Sequence, residues 1–185
     1  MAGRRFIPTT MTIMSAAMTI PKSMGPKQRQ PRILIAGLGN YLLRDDGIGV
    51  HAVRALQQTP PPGAVLADIG TAVLDALHLL EWADKILAID AMQAGGPPGT
   101  LYAFGVDAVE GPGMQTSLHE LNFLAALDLL PRRTRPEILM VGMEPETIDY
   151  GLDLSPAVAA ALPELGREVC KIASGWRHGL RSAVK

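Results

Sequence analysis

The apolar positions of this chain fall into short runs and spaced sets that predict alternating strands and helices. Ile33 to Ala36 is an unbroken apolar run, the pattern of a strand buried on both faces. Gly37-Leu38-Gly39-Asn40 then turns the chain tightly. A short loop ends in two adjacent acids, Asp45 and Asp46, before Gly47-Ile48-Gly49. From Val50 the spacing becomes helical, with Val50, Val53 and either Ala52 or Leu56 on one face. Thr59-Pro60-Pro61-Pro62-Gly63 stops that helix. Ala64 to Ile69 predicts a second strand ending near Asp68 and Gly70. Thr71 is placed to cap a second helix carrying Leu74, Leu77, His78 and Glu81-Trp82. Lys85 to Ala91 predicts a third strand with Asp90 at its end.

The next connection differs. Only Ala91 to Gly99, rich in glycine and proline, separates Asp90 from the strand-like stretch Thr100 to Val106. A parallel neighbour needs a longer crossover, so this fourth strand is expected to run antiparallel, at an edge. The polar, glycine-rich loop Asp107 to Thr116 leads to Ser117-Leu118-His119-Glu120. A helix follows through Leu121, Leu124, Ala125 and Leu127 to about Leu130. Glu137 to Met143 is the fifth strand, followed by Glu144-Pro145-Glu146. Ser155-Pro156 opens the last helix, which reaches about Ser174 with a kink point at Pro163. The pattern gives an α/β three-layer sandwich: a mostly parallel five-stranded sheet with one antiparallel edge strand and helices on both faces. One domain is expected over residues 31–175, after a disordered extension (1–30) and before a basic tail (176–185).

Composition narrows the function. A net charge of -1 and a pI near 6.4 give no nucleic-acid footprint. The local run Arg132-Arg133-Thr134-Arg135, between prolines, reads as a solvated loop. Aromatic residues are only 4%, so the core is aliphatic and offers no stacking platform for bases. The single cysteine, Cys170, excludes an internal disulfide and a cysteine-built zinc site. It reads as a small core residue of a chain at home in a reducing cytoplasm. Arg4-Arg5-Phe6-Ile7 resembles the start of a twin-arginine signal. The stretch behind it is interrupted by Thr9, Thr10, Thr12, Ser15 and Thr19, and no segment is long and apolar enough to span a membrane.

Familiar catalytic signatures are absent: there is no HExxH, GxSxG, GxxxxGK[ST] or CxxC. Gly37-Leu38-Gly39 is half a dinucleotide fingerprint, but Leu42 takes the place of its third glycine, and the acids beyond it would repel a pyrophosphate. What remains is geometric. In an open α/β sheet, ligands bind beyond the carboxyl ends of the strands, where the strand order reverses. Asp45 and Asp46 follow strand one, Asp90 ends strand three, and His119 starts the helix after strand four. Converging carboxylates repel unless protonated or bridged by a cation. Two carboxylates and an imidazole make a divalent-metal site with open positions. Structural roles compete with this at each residue. Asp46 could instead cap its helix, and spacing alone leaves His119 open between an ordinary helix-start residue and a ligand. A lone carboxylate ending an apolar strand is costly without a partner, which favours function for Asp90. His51, His78 and His178 lie away from the loop ends, and Asp68 could support the site or be structural.

GLGNYLLRDDGIGVHAVRAL resembles the opening motif of the nickel–iron hydrogenase maturation endopeptidases, Gly-x-Gly-Asn, four residues, Asp-Asp/Glu-Gly-x-Gly. Ala67-Asp68-Ile69-Gly70-Thr71, Ile89-Asp90-Ala91 with Pro98-Gly99-Thr100, Ser117-Leu118-His119, and Val141-Gly142 with Pro145-Glu146 are similar to its later segments, in the same order. Ile69 stands where a glycine is common, and Leu118 where some members carry proline. The resemblance implies a peptide hydrolase of the aspartic type. Such enzymes remove the C-terminal extension from the nickel-loaded precursor of a hydrogenase large subunit. It maps the family's nickel ligands onto Asp46, Asp90 and His119, with Asp46 or Asp45 able to activate water. The cofactor implied is nickel supplied with the substrate, zinc or cadmium being surrogates in vitro. The expected partner is the precursor, with no nucleic acid or membrane, and the chain is expected to be a monomer. Two rivals remain at this level. A non-catalytic nickel or precursor chaperone would carry the same site. A peptidyl-tRNA hydrolase shares the Gly-Leu-Gly-Asn turn but has an Asn-x-x-His-Asn context that is missing here.

Overall fold

The computed structural model describes residues 29–105, 118–131 and 135–179. The expectations for residues 1–28, for the Asp107–Thr116 loop, for 132–134 and for the last residues of the tail lie outside them. Five strands make one sheet in the order β2-β1-β3-β5-β4: β1 (Ile33–Leu38), β2 (Ala64–Gly70), β3 (Lys85–Ala91), β4 (Leu101–Gly105) and β5 (Glu137–Met143). The first four in that order run parallel, and β4 pairs antiparallel with β5 at the edge, as the short β3–β4 link requires.

The chain leaves β1 for β2 on one side through helix α1 (Ile48–Leu56). It then returns past β1 to β3 through α2 (Leu77–Trp82). Parallel crossovers are right-handed, so reversing the direction of travel puts the two helices on opposite faces. The core divides accordingly. Ile33, Ile35, Leu87 and Ile89 pack with α1 and with α4 (Pro156–Arg177). Leu34, Ala36, Ile86 and Ala88 pack with α2 and with α3 (Leu118–Asp128). The strand order reverses between β1 and β3, where the sequence places the acids. Among the described residues no helix is long and apolar enough to cross a membrane.

Four details differ from the sequence reading. Asp45 and Asp46 lie inside a 3-10 turn, Arg44–Gly47, and α1 starts at Ile48 rather than Val50. The residue before α1 is Gly47, with no side-chain cap, so neither aspartate caps that helix. Thr71 does not cap either: the second helical segment opens as a 3-10 turn, Val73–Ala76, without a side-chain cap. Three residues per turn there, then 3.6, turn Val73, Ala76 and Leu80 toward the sheet and leave Leu74 exposed. Finally, α4 runs through Pro163 to Arg177, past the expected boundary at Gly175. It buries Trp176, whose ring lies 5.0 Å from the Lys85 ammonium.

Two carboxylates fix the ends of the sheet. At the amino ends, Asp84 accepts the Arg32 amide at 2.7 Å and pairs with the Arg32 and Arg29 guanidinium groups at 3.0 and 2.9 Å. At the carboxyl ends, Asp45 is fully buried. One of its oxygens accepts the amides of Glu146 and Thr147, both at 2.9 Å, and the other accepts that of Ser155 at 2.7 Å. It thereby ties the turn after β1 to the loop after β5 and to the residue that precedes α4. The turn also sits tightly on the sheet. A β-carbon at Gly49 would collide with the Ile89 carbonyl oxygen and lie 2.6 Å from the Leu38 nitrogen.

Asp45→Asn leaves one acceptor oxygen for three amides and aims an NH2 group at one of them. We expect it to lower stability by about 2–4 kcal/mol, read as a lower urea midpoint with unchanged slope. Burial by itself pushes the Asp84 carboxyl up, but Arg32 and Arg29 outweigh it and bring it down to about 2. A depressed folded value means that its stabilisation is complete above roughly pH 4 and is lost as pH falls through about 2. Asp84→Asn should therefore cost about 1 kcal/mol near neutrality, the partners being largely solvated. Urea titrations of wild type and variant should converge over the acid window.

Candidate functional site

Three elements bring their functional side chains to the carboxyl edge of the sheet. Asp46 is next to Asp45 in the 3-10 turn, where successive residues point about 120° apart. One aspartate faces the loop after β5, and its neighbour faces the sheet end. Asp46 Oδ2 accepts the Asn40 amide at 2.8 Å and lies 3.0 Å from His119 Nε2, a residue 73 positions later. Asp90 follows Ile86 and Ala88 on one face of β3 by strand alternation, and that face is covered by α3, the helix that carries His119. The same strand end is next to the opening turn. A β-carbon at Gly39 would collide with the Asp46 carbonyl and sit 3.2 Å from Asp90 Oδ1. With φ at +100° the position also favours glycine.

The electrostatics keep Asp46 ionised. Burial alone would raise its pKa, yet the hydrogen bond from His119, the Asn40 amide and the imidazole charge together hold it below the usual carboxylate range. Asp90 is only 1% exposed and accepts the amide of Ala91 at 2.9 Å. Asn40 spends its side-chain oxygen on the Leu42 amide at 3.0 Å, an Asx turn that sets the path of the loop. Its contact with Asp46 escapes a reading by residue type, because the group involved is a backbone amide.

The other titratable residues divide clearly. Both oxygens of Asp45 are engaged by backbone amides, so it holds structure rather than facing the cleft. Asp68 pairs with Arg54 at 2.9 Å, and the Arg54 guanidinium lies over the Tyr41 ring at 4.0 Å. His51 packs against Tyr41, and burial with the nearby Arg54 charge lowers its pKa. His78 and His178 contact carbonyls of their own helical turns. Burial raises the Cys170 thiol, which makes it a poor nucleophile.

Glu144 is the residue that the sequence reading did not single out. It is buried at the end of β5 and accepts the amides of Ala94, Gly95 and Gly96 and the hydroxyl of Tyr102, the closest at 2.9 Å. Burial acts to raise its pKa, and these four donors more than offset that, so the group stays ionised. It anchors the loop that leaves Asp90. The available signal was the one used for Asp90: an acid closing an apolar strand.

The arrangement suits a borderline divalent cation in its donor types, two carboxylates and one imidazole. Asp46 and His119 are in direct contact. Asp90 reaches the same end of the sheet, but among the described residues no three such side chains close into a ready-made cage.

Comparisons with known proteins show what the chain is similar to. A family model described as hydrogenase maturation protease matches residues 50–172. The hydrogenase expression/formation protein HoxM of Cupriavidus necator is 31% identical over 151 residues, spanning 78% of this chain and 75% of that one. HupD of Rhodobacter capsulatus is 32% identical over 158 residues, 82% and 75% of the two chains. The hydrogenase maturating endopeptidase HybD from E. coli superposes with a TM-score of 0.69 at 30% identity, covering 80% of this chain and 94% of that one. The [NiFe] hydrogenase maturation protease HybD from Thermococcus kodakarensis gives 0.68 at 28% identity, covering 77% and 99%. With a family model matched over more than half of its length and relatives at least 30% identical over more than two thirds of it, this chain belongs to the hydrogenase maturation protease family.

Proposed function

We propose that this protein is the endopeptidase that removes the C-terminal extension from the nickel-loaded precursor of a nickel–iron hydrogenase large subunit. Its nickel arrives as part of the substrate, in keeping with an open cluster rather than a closed cage. Asp46, Asp90 and His119 grasp that nickel and thereby fix the precursor with its scissile peptide in the cleft. Asp46, ionised at neutral pH, is the carboxylate placed to take a proton from the attacking water. Asp45 does not compete for that task, because both of its oxygens accept backbone amides. In this sense the protease is of the aspartic type and depends on nickel. It acts as a monomer in the cytoplasm, where its one cysteine stays reduced.

The observation that carries the proposal is the 3.0 Å contact between Asp46 Oδ2 and His119 Nε2, on segments far apart in sequence, beside the strand end that holds Asp90. Capping does not explain Asp46, which makes no cap.

Incubating purified protein with nickel-loaded precursor should yield a shortened large subunit by mass spectrometry, whereas precursor that lacks nickel should stay intact. Intact nickel-loaded precursor after stable binding would assign the protein as a chaperone instead. Asp46→Asn, Asp90→Ala and His119→Ala should each slow processing by about 100-fold or more while the circular dichroism spectrum stays native. Full processing by the His119 variant would remove the imidazole from the mechanism.

A further inference from the structure

Most large apolar side chains among the described residues are buried or half-buried, but four exposed ones lie on the two segments that Asp45 ties together. Leu42, Ile148, Tyr150 and Leu152 are 59%, 46%, 84% and 52% exposed. Their backbones are joined. The Gly151 amide donates to the Leu42 carbonyl at 3.0 Å, the Arg44 amide donates to the Gly151 carbonyl at 2.9 Å, and Leu43 and Gly151 form a parallel bridge. Leu42 and Tyr150 are thus register neighbours one step before the bridge, and Leu152 follows one step after. Ile148 adjoins Thr147, whose amide Asp45 holds. The patch is therefore carried on a braced loop rather than on a loose one. Exposed large apolar side chains grouped on a braced loop of this kind mark an interaction site.

Its neighbours define the partner. Glu146, Asp149 and Asp153 are exposed on the same loop, between and beside the apolar residues, and outnumber the one cation on these two segments, half-buried Arg44, whose side chain lies against Gly151. An apolar centre with an acidic rim repels nucleic acid and anionic membranes. It also disfavours a second copy of this chain, since an isologous contact would bring each acidic rim against itself. It fits a folded protein surface that is apolar at its centre and ringed by lysine or arginine. The patch adjoins the cleft: Leu42 lies two residues beyond Asn40, whose amide bonds Asp46.

We infer that Leu42, Ile148, Tyr150 and Leu152, rimmed by Glu146, Asp149 and Asp153, form the docking surface for the folded body of the hydrogenase large-subunit precursor. This rests on the function proposed above, and it separates recognition of the body from capture of the nickel. Three side chains around one ion offer few contacts with a folded substrate, and the braced patch supplies the remainder.

The test compares wild type, the double variant Tyr150→Ser/Leu152→Ser and the double variant Asp149→Lys/Asp153→Lys with the host's own nickel-loaded precursor. Dissociation constants come from titration calorimetry, and KM and kcat from the processing assay. Each double variant should bind about 30-fold more weakly and raise KM in proportion, with kcat within about two-fold and melting temperature unchanged. Added salt should weaken binding of the wild type and have less effect on the charge-reversed protein. Wild-type affinity and KM in both variants would overturn the docking surface and leave the protease assignment standing. A wild-type protein that neither binds nor cleaves the precursor would overturn both. A wild-type dimer in light scattering that the serine variant loses would give the patch to a second copy and overturn the inference.

Discussion

The carboxyl edge of this molecule depends on one buried carboxylate satisfied entirely by backbone. Burying the charge of Asp45 would cost several kcal/mol in isolation. Three amides contributed by residues about a hundred positions away offset that cost with charge-assisted bonds. Fixing Asp45 fixes the 3-10 turn around it, and a turn of three residues sends the next side chain in another direction. Asp46 therefore faces the end of the sheet because Asp45 faces the loop. Two adjacent acids, identical in type, do opposite work for a geometric reason.

The glycines of the opening segment belong to the same constraint. Gly37 has the Gly49 carbonyl where its β-carbon would be, and Gly47 has the Tyr41 α-carbon 2.8 Å from the corresponding point. Gly49 itself rests on the ends of β1 and β3. The turn and α1 are pressed onto the strand ends without intervening side chains, and this close approach brings Asp46 within reach of a histidine on the opposite layer. Steric exclusion thus accounts for the glycines of the motif, and electrostatics accounts for its acids.

The strands were the most legible part of the sequence. Lys85–Ala91 and Glu137–Met143 emerge with the bounds their apolar runs give, since a strand buried on both faces leaves little room for another assignment. The antiparallel edge was readable because nine residues from Ala91 to Gly99 cannot hold a crossover helix. Helix starts were less legible. Thr71 and Asp46 have the right chemistry for caps, but local 3-10 turns satisfy the backbone without them. The face of the second helix was misread for the same reason, as Leu74 shows. At the edge where the candidate site lies, Asp46 and Asp90 stood out from their places after strand ends, whereas spacing left His119 open and only the family resemblance raised it. The division of labour between Asp45 and Asp46 could not be read, because it is decided by amides from the loop after β5. Glu144 was hidden likewise: its role exists only through the amides of a loop some fifty residues earlier.

The contact between Asp46 and His119 also bears on how such a site would discriminate. Two ionised carboxylates held close without partners would capture whatever divalent cation is abundant. Here Asp46 is already satisfied by an amide and an imidazole, and Asp90 by at least the Ala91 amide, so their demand for a cation is reduced. An ion that binds all three must displace the hydrogen bond between Asp46 and His119. Free ions in solution meet that cost unaided. An ion carried on a docked protein meets it with the binding energy of the whole complex. On the function proposed here, the self-satisfied state makes the site unresponsive to loose metal and responsive to a loaded precursor, so the weakness of the cluster as a cage becomes part of its selectivity.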